Sequence, residues 1–434
     1  MNERDLAQFI ITDIFETGAY NNIILSKTLS KENLSSEKRA FVTELVNGTL
    51  RRLITIDYVL SLFSKTKKEK MRPFILNTLR VAIYQILFMP TVPDSAACNE
   101  AVKNTKAHRF ERLSGFVNGV LRNISRQKDN IDYTGATAAQ TFSRRYSVPE
   151  FVVGYWLESK TEKETEQLCA SLCEYPRIYI RVNTLKTSAK ELKQRLIAEN
   201  VTVCDTIVPE VLEISKTGNI AELSSFKEGL FFVSDLAACL VTHITDVKPG
   251  QTVADLCAAP GGKSFSLAMK MQNKGKIYSC DIYEHKTELI EKGAKRLGID
   301  IIEPTISDAC VTNEDLKADV VLIDAPCSGL GLLKRKPDIA FNRNREDIDT
   351  LAALQRKILE ASIPLVKDGG KIVYSTCTIS KKENGDNVEY IRKKYGLKAV
   401  HFSLPGKGEN CGEAEILPGD YSNDGFYVAV LEKV

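Results

Sequence analysis

Five short apolar runs in the second half of the chain each close on an aspartate or a cysteine, and that pattern leaves little choice of architecture. The runs are Thr252 to Asp255, Lys276 to Asp281, Ile301 to Asp308, Asp319 to Asp324 and Lys371 to Cys377. Between them Glu284 to Leu297 and Ile348 to Val366 place apolar residues at helical spacing. Strands that alternate with helices form a parallel, doubly wound sheet, whose ligands bind outside the carboxyl ends of the strands. The closing residues are therefore expected along one rim.

The turn after the first run is the most particular part of this pattern. Asp255-Leu256-Cys257-Ala258-Ala259-Pro260-Gly261-Gly262-Lys263 leads into a helix over Ser264 to Met271, with Phe265, Ala268 and Met269 at helical spacing. Glycines let a backbone approach a ligand closely, and the N–H groups of a helix start attract anions and polar groups. Lys263 falls in the first helical turn, where a cation opposes the helix dipole. A residue held against local preference has a task. Asp281 closes the second run, where nucleoside-binding sheets place a carboxylate for ribose hydroxyls. No G-x-G-x-x-G is present, which disfavours a hydride-transfer enzyme.

With 434 residues the chain exceeds a single core, which rarely grows beyond about 250 to 300 residues, so two or three domains are expected. Met1 to Asp5 has no basic stretch ahead of an apolar core, and no run approaches the ~18 apolar residues of a membrane span. Neither export nor membrane insertion is expected, and the cytoplasm is the expected compartment. In a reducing compartment the 11 cysteines are expected to be free thiols. His108, His243, His285 and His401 stand apart from them, so no metal site is expected. The net charge of +3 is unevenly spread, with a basic surplus at the front that suits nucleic acid as well as solvated surface.

Residues 1 to about 130 read as all helix. Leu6, Phe9, Ile10 and Ile14 share a face, as do Phe41, Leu45, Val46, Leu50 and Leu53, and Leu76, Leu79, Ala82, Ile83, Ile86 and Leu87 make a third stripe. Asp129 to Ala139, rich in Asp, Gly, Thr and Ala, reads as a linker. A small α+β module follows, with strands at Ile178 to Asn183, Val211 to Ile214 and Leu230 to Val233. Its helix over Ser188 to Glu199 has Leu192, Leu196 and Ile197 on one side. Asp424 to Leu431 reads as a turn into a final apolar strand.

Two cysteines stand out by position. Cys327 follows Asp324-Ala325-Pro326 after the fourth run, and Cys377 ends the fifth. Consecutive strands of such sheets are often neighbours, so both thiols are expected in one crevice. One chemistry needs a thiol there. Carbon 5 of cytosine is a poor nucleophile until a thiolate adds at carbon 6, after which it can attack the methyl group of a sulfonium donor. A free thiol is only about 3% ionised at neutral pH, so positive charge is needed nearby, and Lys263 is a candidate. The base must also be unpaired or flipped out, with cations for its phosphates. Lys334-Arg335-Lys336-Pro337-Asp338, with Arg343 and Arg345, is the expected RNA-contacting loop.

Resemblance sharpens this reading. Arg39 to Arg52, Leu79 to Phe88, Asn99 to Val102 and Phe116 to Arg122 resemble the NusB-type helical RNA-binding domain. Arg181-Val182-Asn183-Thr184 resembles the stretch ahead of the catalytic domain in RNA cytosine-5 methyltransferases. The region from about Gly229 to Val434 is similar to the RsmB/Sun/Fmu type of these enzymes, including Asp324-Ala325-Pro326-Cys327-Ser328-Gly329 and Thr376-Cys377. The resemblance implies a Rossmann-like methyltransferase domain at 229–434, preceded by an all-α NusB-like bundle at 1–132 and the α+β module at 140–228.

The same resemblance carries roles to matching positions. Cys257, Ala258, Ala259, Pro260, Gly261, Gly262 and Lys263 would hold S-adenosyl-L-methionine, with Asp281 on the ribose, Asp308 by the adenine and Asp324 between donor and target base. Cys377 would be the nucleophile and Cys327 would assist breakdown of the adduct, a ranking that the residues alone leave open. The implied substrate is 16S ribosomal RNA and the implied enzyme a monomer without metal or membrane association. Transfer RNA as substrate and a non-catalytic antitermination-type adaptor are the alternatives. An adaptor would need neither thiol. Amino-group methyltransferases, which carry an Asp/Asn-Pro-Pro-aromatic run, are disfavoured.

Overall fold

The computed structural model describes residues 2–18, 21–313, 315–406, 408–410 and 412–434. The chain divides into two compact units, Met1–Glu174 with Leu333–Asn342, and Tyr175–Leu332 with Arg343–Val434. Among the described residues no helix is long and apolar enough to cross a membrane.

The first unit is helical, as its periodicity requires. Helices Glu3–Thr17, Asn21–Lys31, Ser36–Arg51, Leu53–Phe63, Pro73–Phe88, Asp94–Ala107 and Ser114–Gln127 bury Ile10, Leu45, Leu50, Ile56, Leu79, Ile83 and Leu121 in one core. Helix Pro73–Phe88 is enclosed on nearly every side, and its buried Arg80 is neutralised by Asp57 through two 2.8 Å bonds. Three further helices, Ala138–Tyr146, Glu150–Leu157 and Glu162–Ser171, follow the linker and were not legible from the runs above.

Gly48 sets the closeness of the packing in this unit. A Cβ there would lie 2.1 Å from Cζ of Tyr84, whose ring is buried on helix Pro73–Phe88. The ring is walled in and cannot swing aside, so Gly48→Ala should cost about 1 to 3 kcal/mol of stability by overpacking. Urea unfolding of the two proteins checks this, and an unmoved midpoint would refute it.

Part of the expected RNA-contacting loop is buried in Leu333–Asn342. Lys334 is 1% exposed and Asp338 7% exposed. The Lys334 carbonyl accepts a 3.3 Å bond from Arg51 Nε, its Nζ lies 3.5 Å from Glu174, and the Phe341 ring meets Phe15 edge-on. Leu333, Pro337 and Phe341 interleave with the charges, and burying them takes the lysine in as well. Lys336 and Arg345 stay exposed.

In the second unit the small module is a four-stranded antiparallel sheet in the order Thr202–Asp205, Val211–Ser215, Ile178–Val182, Phe231–Val233. Helix Ala189–Ala198, started by a Ser188/Glu191 capping box, lays Leu192 and Leu196 on it. Ile197, expected on that face, is 55% exposed, because the next position along a helix turns away by about 100°.

The large sheet runs Lys398–Ala399, Phe426–Glu432, Val366–Thr376, Ala318–Asp324, Thr252–Asp255, Lys276–Asp281, Ile302–Ile306 from edge to edge. The last five of these strands are parallel, and Phe426–Glu432 pairs antiparallel with Val366–Thr376. Alternate residues serve opposite faces: Val320 and Leu322 point to one core, Val321 and Ile323 to the other. Helix Glu284–Leu297 forms where its periodicity placed it. The helix expected to reach Val366 runs from Arg345 to Ser362, after an Asn344 cap, and gives way at Pro364 to a short 3-10 turn. Proline cannot continue the helical bonding, and Val366 already begins the next strand.

Candidate active site

The turn after Thr252–Asp255 is stitched to both neighbouring strands. Leu256 N–H donates to the Leu322 carbonyl at 3.0 Å, and Ala258 N–H to the Cys280 carbonyl at 2.8 Å. Gly261 has φ of 107°, a left-handed conformation, and a Cβ there would lie 2.4 Å from the Phe265 ring. Only glycine fits. Helix Gly262–Lys270 starts directly after it. Beneath the turn Asp255, fully buried, accepts from Ser264 Oγ at 2.7 Å, and Ser264 Oγ in turn accepts from Ser279 Oγ at 2.7 Å. Burial pushes the Asp255 carboxyl up to about 7. Burial likewise pushes up the Cys257 thiol, which packs against the apolar core beneath the turn.

The next two strands bring their acids to the same rim. Asp281 ends its strand and takes a 3.2 Å bond from Tyr283 N–H. Ser307 N–H donates to the Asp281 carbonyl at 3.1 Å, which draws the end of the following strand alongside. Asp308, the next residue, is exposed and accepts from Cys310 N–H at 2.9 Å.

On the other side of the turn lies the densest group. Lys263 Nζ donates to Asp324 Oδ2 at 2.6 Å and lies 5.2 Å from the centroid of the Phe426 ring. Burial works against the ammonium, but the Asp324 carboxylate outweighs it and holds Lys263 above its ordinary pKa. Cys377 contributes in the same direction. Ser375 Oγ donates to the other oxygen of Asp324 at 3.0 Å. Strand register pairs Asp324 with Ser375, so the loops that follow leave the sheet side by side. Cys327 Sγ and Cys377 Sγ are 3.0 Å apart, both free thiols. Contact with Cys377, then burial, then the carboxylates of Glu383 and Asp324 push the Cys327 thiol well up.

The structure thus brings Lys263, Asp324, Cys327 and Cys377 together, with Asp281 and Asp308 along the same rim. Sequence reasoning missed Ser375, Phe426, Ser328, Thr378 and Glu383. Ser375 was marked only by lying two residues before Cys377, and Glu383, in a lysine-rich stretch, carried no mark.

The family model for the 16S rRNA methyltransferase RsmB/F matches residues 242–432. That of the NusB family matches 1–126, and that of the ferredoxin-like domain of RsmF/B-like methyltransferases matches 148–221. A protein of Bacillus subtilis (strain 168), "Probable ribosomal RNA small subunit methyltransferase B", is 34% identical over 99% of this chain and 98% of its own length. The chain belongs to the RsmB/F family of 16S rRNA methyltransferases. A second relative of the same printed name, from Synechocystis sp. (strain ATCC 27184 / PCC 6803 / Kazusa), is 33% identical over 100% of both chains. The crystal structure of PH0851 superposes with a TM-score of 0.83 at 27% identity, covering 100% of this chain and 99% of that one. A structure described as NSun6 from Pyrococcus horikoshii with SFG shares the fold over 66% of this chain and 98% of its own, with a TM-score of 0.59 at 24% identity.

This RsmB/F-family rim fits S-adenosyl-L-methionine. Its carboxylates suit ribose hydroxyls and a sulfonium cation, the left-handed Gly261 and the adjacent Gly262 leave the turn without side-chain bulk, and Lys263 is already neutralised by Asp324 rather than offered to a phosphate.

Proposed function

We propose that this chain transfers a methyl group from S-adenosyl-L-methionine to carbon 5 of a cytosine in 16S ribosomal RNA, through a covalent cysteine–cytosine intermediate, in the cytoplasm. The observation that carries the reading is the contact of two free thiols beside the Lys263–Asp324 pair. Its organisation is read as a NusB-like domain at 1–132, a small α+β module at 140–228 and the catalytic domain at 229–434.

Bound along the rim by the turn Cys257 to Lys263, Asp281 and Asp308, S-adenosyl-L-methionine supplies an electrophilic methyl group. The protein's own part is to make carbon 5 attack it. The Cys377 thiolate adds to carbon 6, and the electron pair of the ring double bond becomes available at carbon 5. After alkylation carbon 5 carries a surplus proton; Cys327, having released its own proton to solvent, takes it as a thiolate, so that the double bond re-forms and Cys377 leaves as a thiolate. Asp324, fixed by Lys263 and Ser375, would lie between donor and base. An adaptor without chemistry gains nothing from two touching thiols.

Bisulfite mapping of ribosomal and transfer RNA from cells with and without the protein tests the reading. One cytosine of 16S RNA should lose its protection when the protein is absent. A change confined to transfer RNA would move the substrate, and no change anywhere would remove the activity.

A further inference from the structure

The two thiols lie on separate loops, and their approach needs more than the sheet to enforce it. Pairing between the two strands ends at Asp324 and Ser375, and from Ala325 and Cys377 onward both chains are irregular. Directly behind them sits a side chain with no part in the reaction above. Glu383 is 0% exposed. Its Oε1 accepts from the backbone N–H of Ser328 at 2.8 Å and from Gln355 Nε2 at 3.1 Å. Its Oε2 accepts from Ser328 Oγ at 2.6 Å, with Thr378 Oγ1 at 3.5 Å. The hydroxyls of Ser328 and Thr378 are themselves 2.8 Å apart. Ser328 follows Cys327 and Thr378 follows Cys377, so one carboxylate holds the residues next to both sulfurs.

The hold extends to the other side of each loop. Gln355 Nε2 also donates to the carbonyl of Pro326, which precedes Cys327, at 3.0 Å. Asn387 Nδ2 donates to Gln355 Oε1 at 3.0 Å, fixing the amide's orientation. Tyr374, on the strand that leads to Cys377, donates its hydroxyl to the Glu383 carbonyl at 2.6 Å.

Energetics make this an unusual use of a carboxylate. Burying one costs several kcal/mol unless its lone pairs are occupied, and among the described residues no cation bonds to Glu383. A group so placed gives direction in exchange. A carboxylate only accepts, so the Ser328 N–H, the Ser328 hydroxyl and the Gln355 amide all donate to it. The single proton of the Ser328 hydroxyl then points at Glu383, which leaves Ser328 Oγ free to accept from Thr378. The carboxylate thereby orders the bond between the two loops.

We propose that Glu383 is a positioning residue that clamps the Cys327 loop to the Cys377 loop and holds both sulfurs within reach of one pyrimidine ring. The inference rests on the cytosine-5 reading and deepens it. Glu383 acts through the thiols and touches no reacting atom.

The test compares the full-length chain with Glu383→Ala, Glu383→Gln and Ser328→Ala. Two readouts are taken: kcat and KM for methyl transfer to RNA, and bridging of Cys327 to Cys377 by dibromobimane without RNA, with the linked peptides identified by mass spectrometry. Glu383→Ala should lower kcat by about 10²-fold, the scale of a small misplacement of reacting groups, with KM little changed and bridging largely lost. Glu383→Gln should restore both, because its amide still accepts from Ser328 N–H and Gln355 and can donate to Ser328 Oγ. Should Glu383→Ala fail to fold, loss of bridging in Ser328→Ala supports the clamp by itself. Bridging and kcat that are unchanged in the folded variants overturn it. Loss of bridging in a protein that methylates no cytosine supports the clamp and overturns the functional reading instead.

Discussion

Cys327→Ala protein, incubated with its RNA substrate and S-adenosyl-L-methionine, should accumulate a covalent protein–RNA complex that survives denaturing electrophoresis, while Cys377→Ala should form none. The expectation follows from the order of bond making. Without Cys377 no bond forms at carbon 6, and methyl transfer should fall by about 10⁴-fold or more, the scale seen when a covalent nucleophile is removed. Without Cys327 the addition and the alkylation still proceed, but the proton at carbon 5 has no nearby acceptor. Breakdown should then slow by about 10² to 10⁴-fold, the usual contribution of a positioned acid or base. The adduct therefore becomes the resting state. The 3.0 Å sulfur contact means that either thiol can reach the same face of a ring, so geometry alone does not fix the direction of the experiment. The direction comes from the resemblance of Thr376-Cys377 to the nucleophile motif of RNA cytosine-5 methyltransferases. Adduct with Cys377→Ala and none with Cys327→Ala would reverse the two roles.

The catalytic sheet was legible because its signals are local. Each strand of the parallel core is a short apolar run, each closing acid or thiol comes from the same chain as its run, and consecutive strands pair often enough that Cys327 and Cys377 could be placed together. Gly261 announced a turn because no other residue tolerates its backbone. Lys263 was readable as misplaced, but its partner was not: Asp324 lies 61 residues away and periodicity says nothing about which acid a lysine meets. The same limit hid Glu383, whose partners Gln355 and Ser328 come from other elements. It also hid the burial of Lys334, which depends on Arg51 and Glu174 far along the chain. Spacing encodes the face an element presents, while buried polar partnerships are set by the fold.

Asp324→Asn is expected to reduce methyl transfer by about 10³-fold and to destabilise the protein, whereas Lys263→Met combined with Asp324→Leu should regain stability without regaining activity. The pair is 2.6 Å long, with the lysine side chain 10% exposed and the carboxylate 33% exposed. Taking the charge from Asp324 leaves an ammonium enclosed beside the Phe426 ring, and burial, which already opposes it, then prevails. Breaking an enclosed pair costs about 3 to 5 kcal/mol, and the partial exposure of Asp324 places this one at the low end. Replacing both partners by apolar groups removes the stranded charge along with the pair, which is often neutral for stability. The catalytic loss has a different origin. A carboxylate oriented by Lys263 and Ser375 is a preorganised charge, and removing one such group costs about 10² to 10³-fold. The double variant lacks the same carboxylate, so it should be no faster than Asp324→Asn. Denaturant unfolding and single-turnover methylation on the same three variants separate the two effects. A double variant that recovered both would reduce the pair to a structural contact.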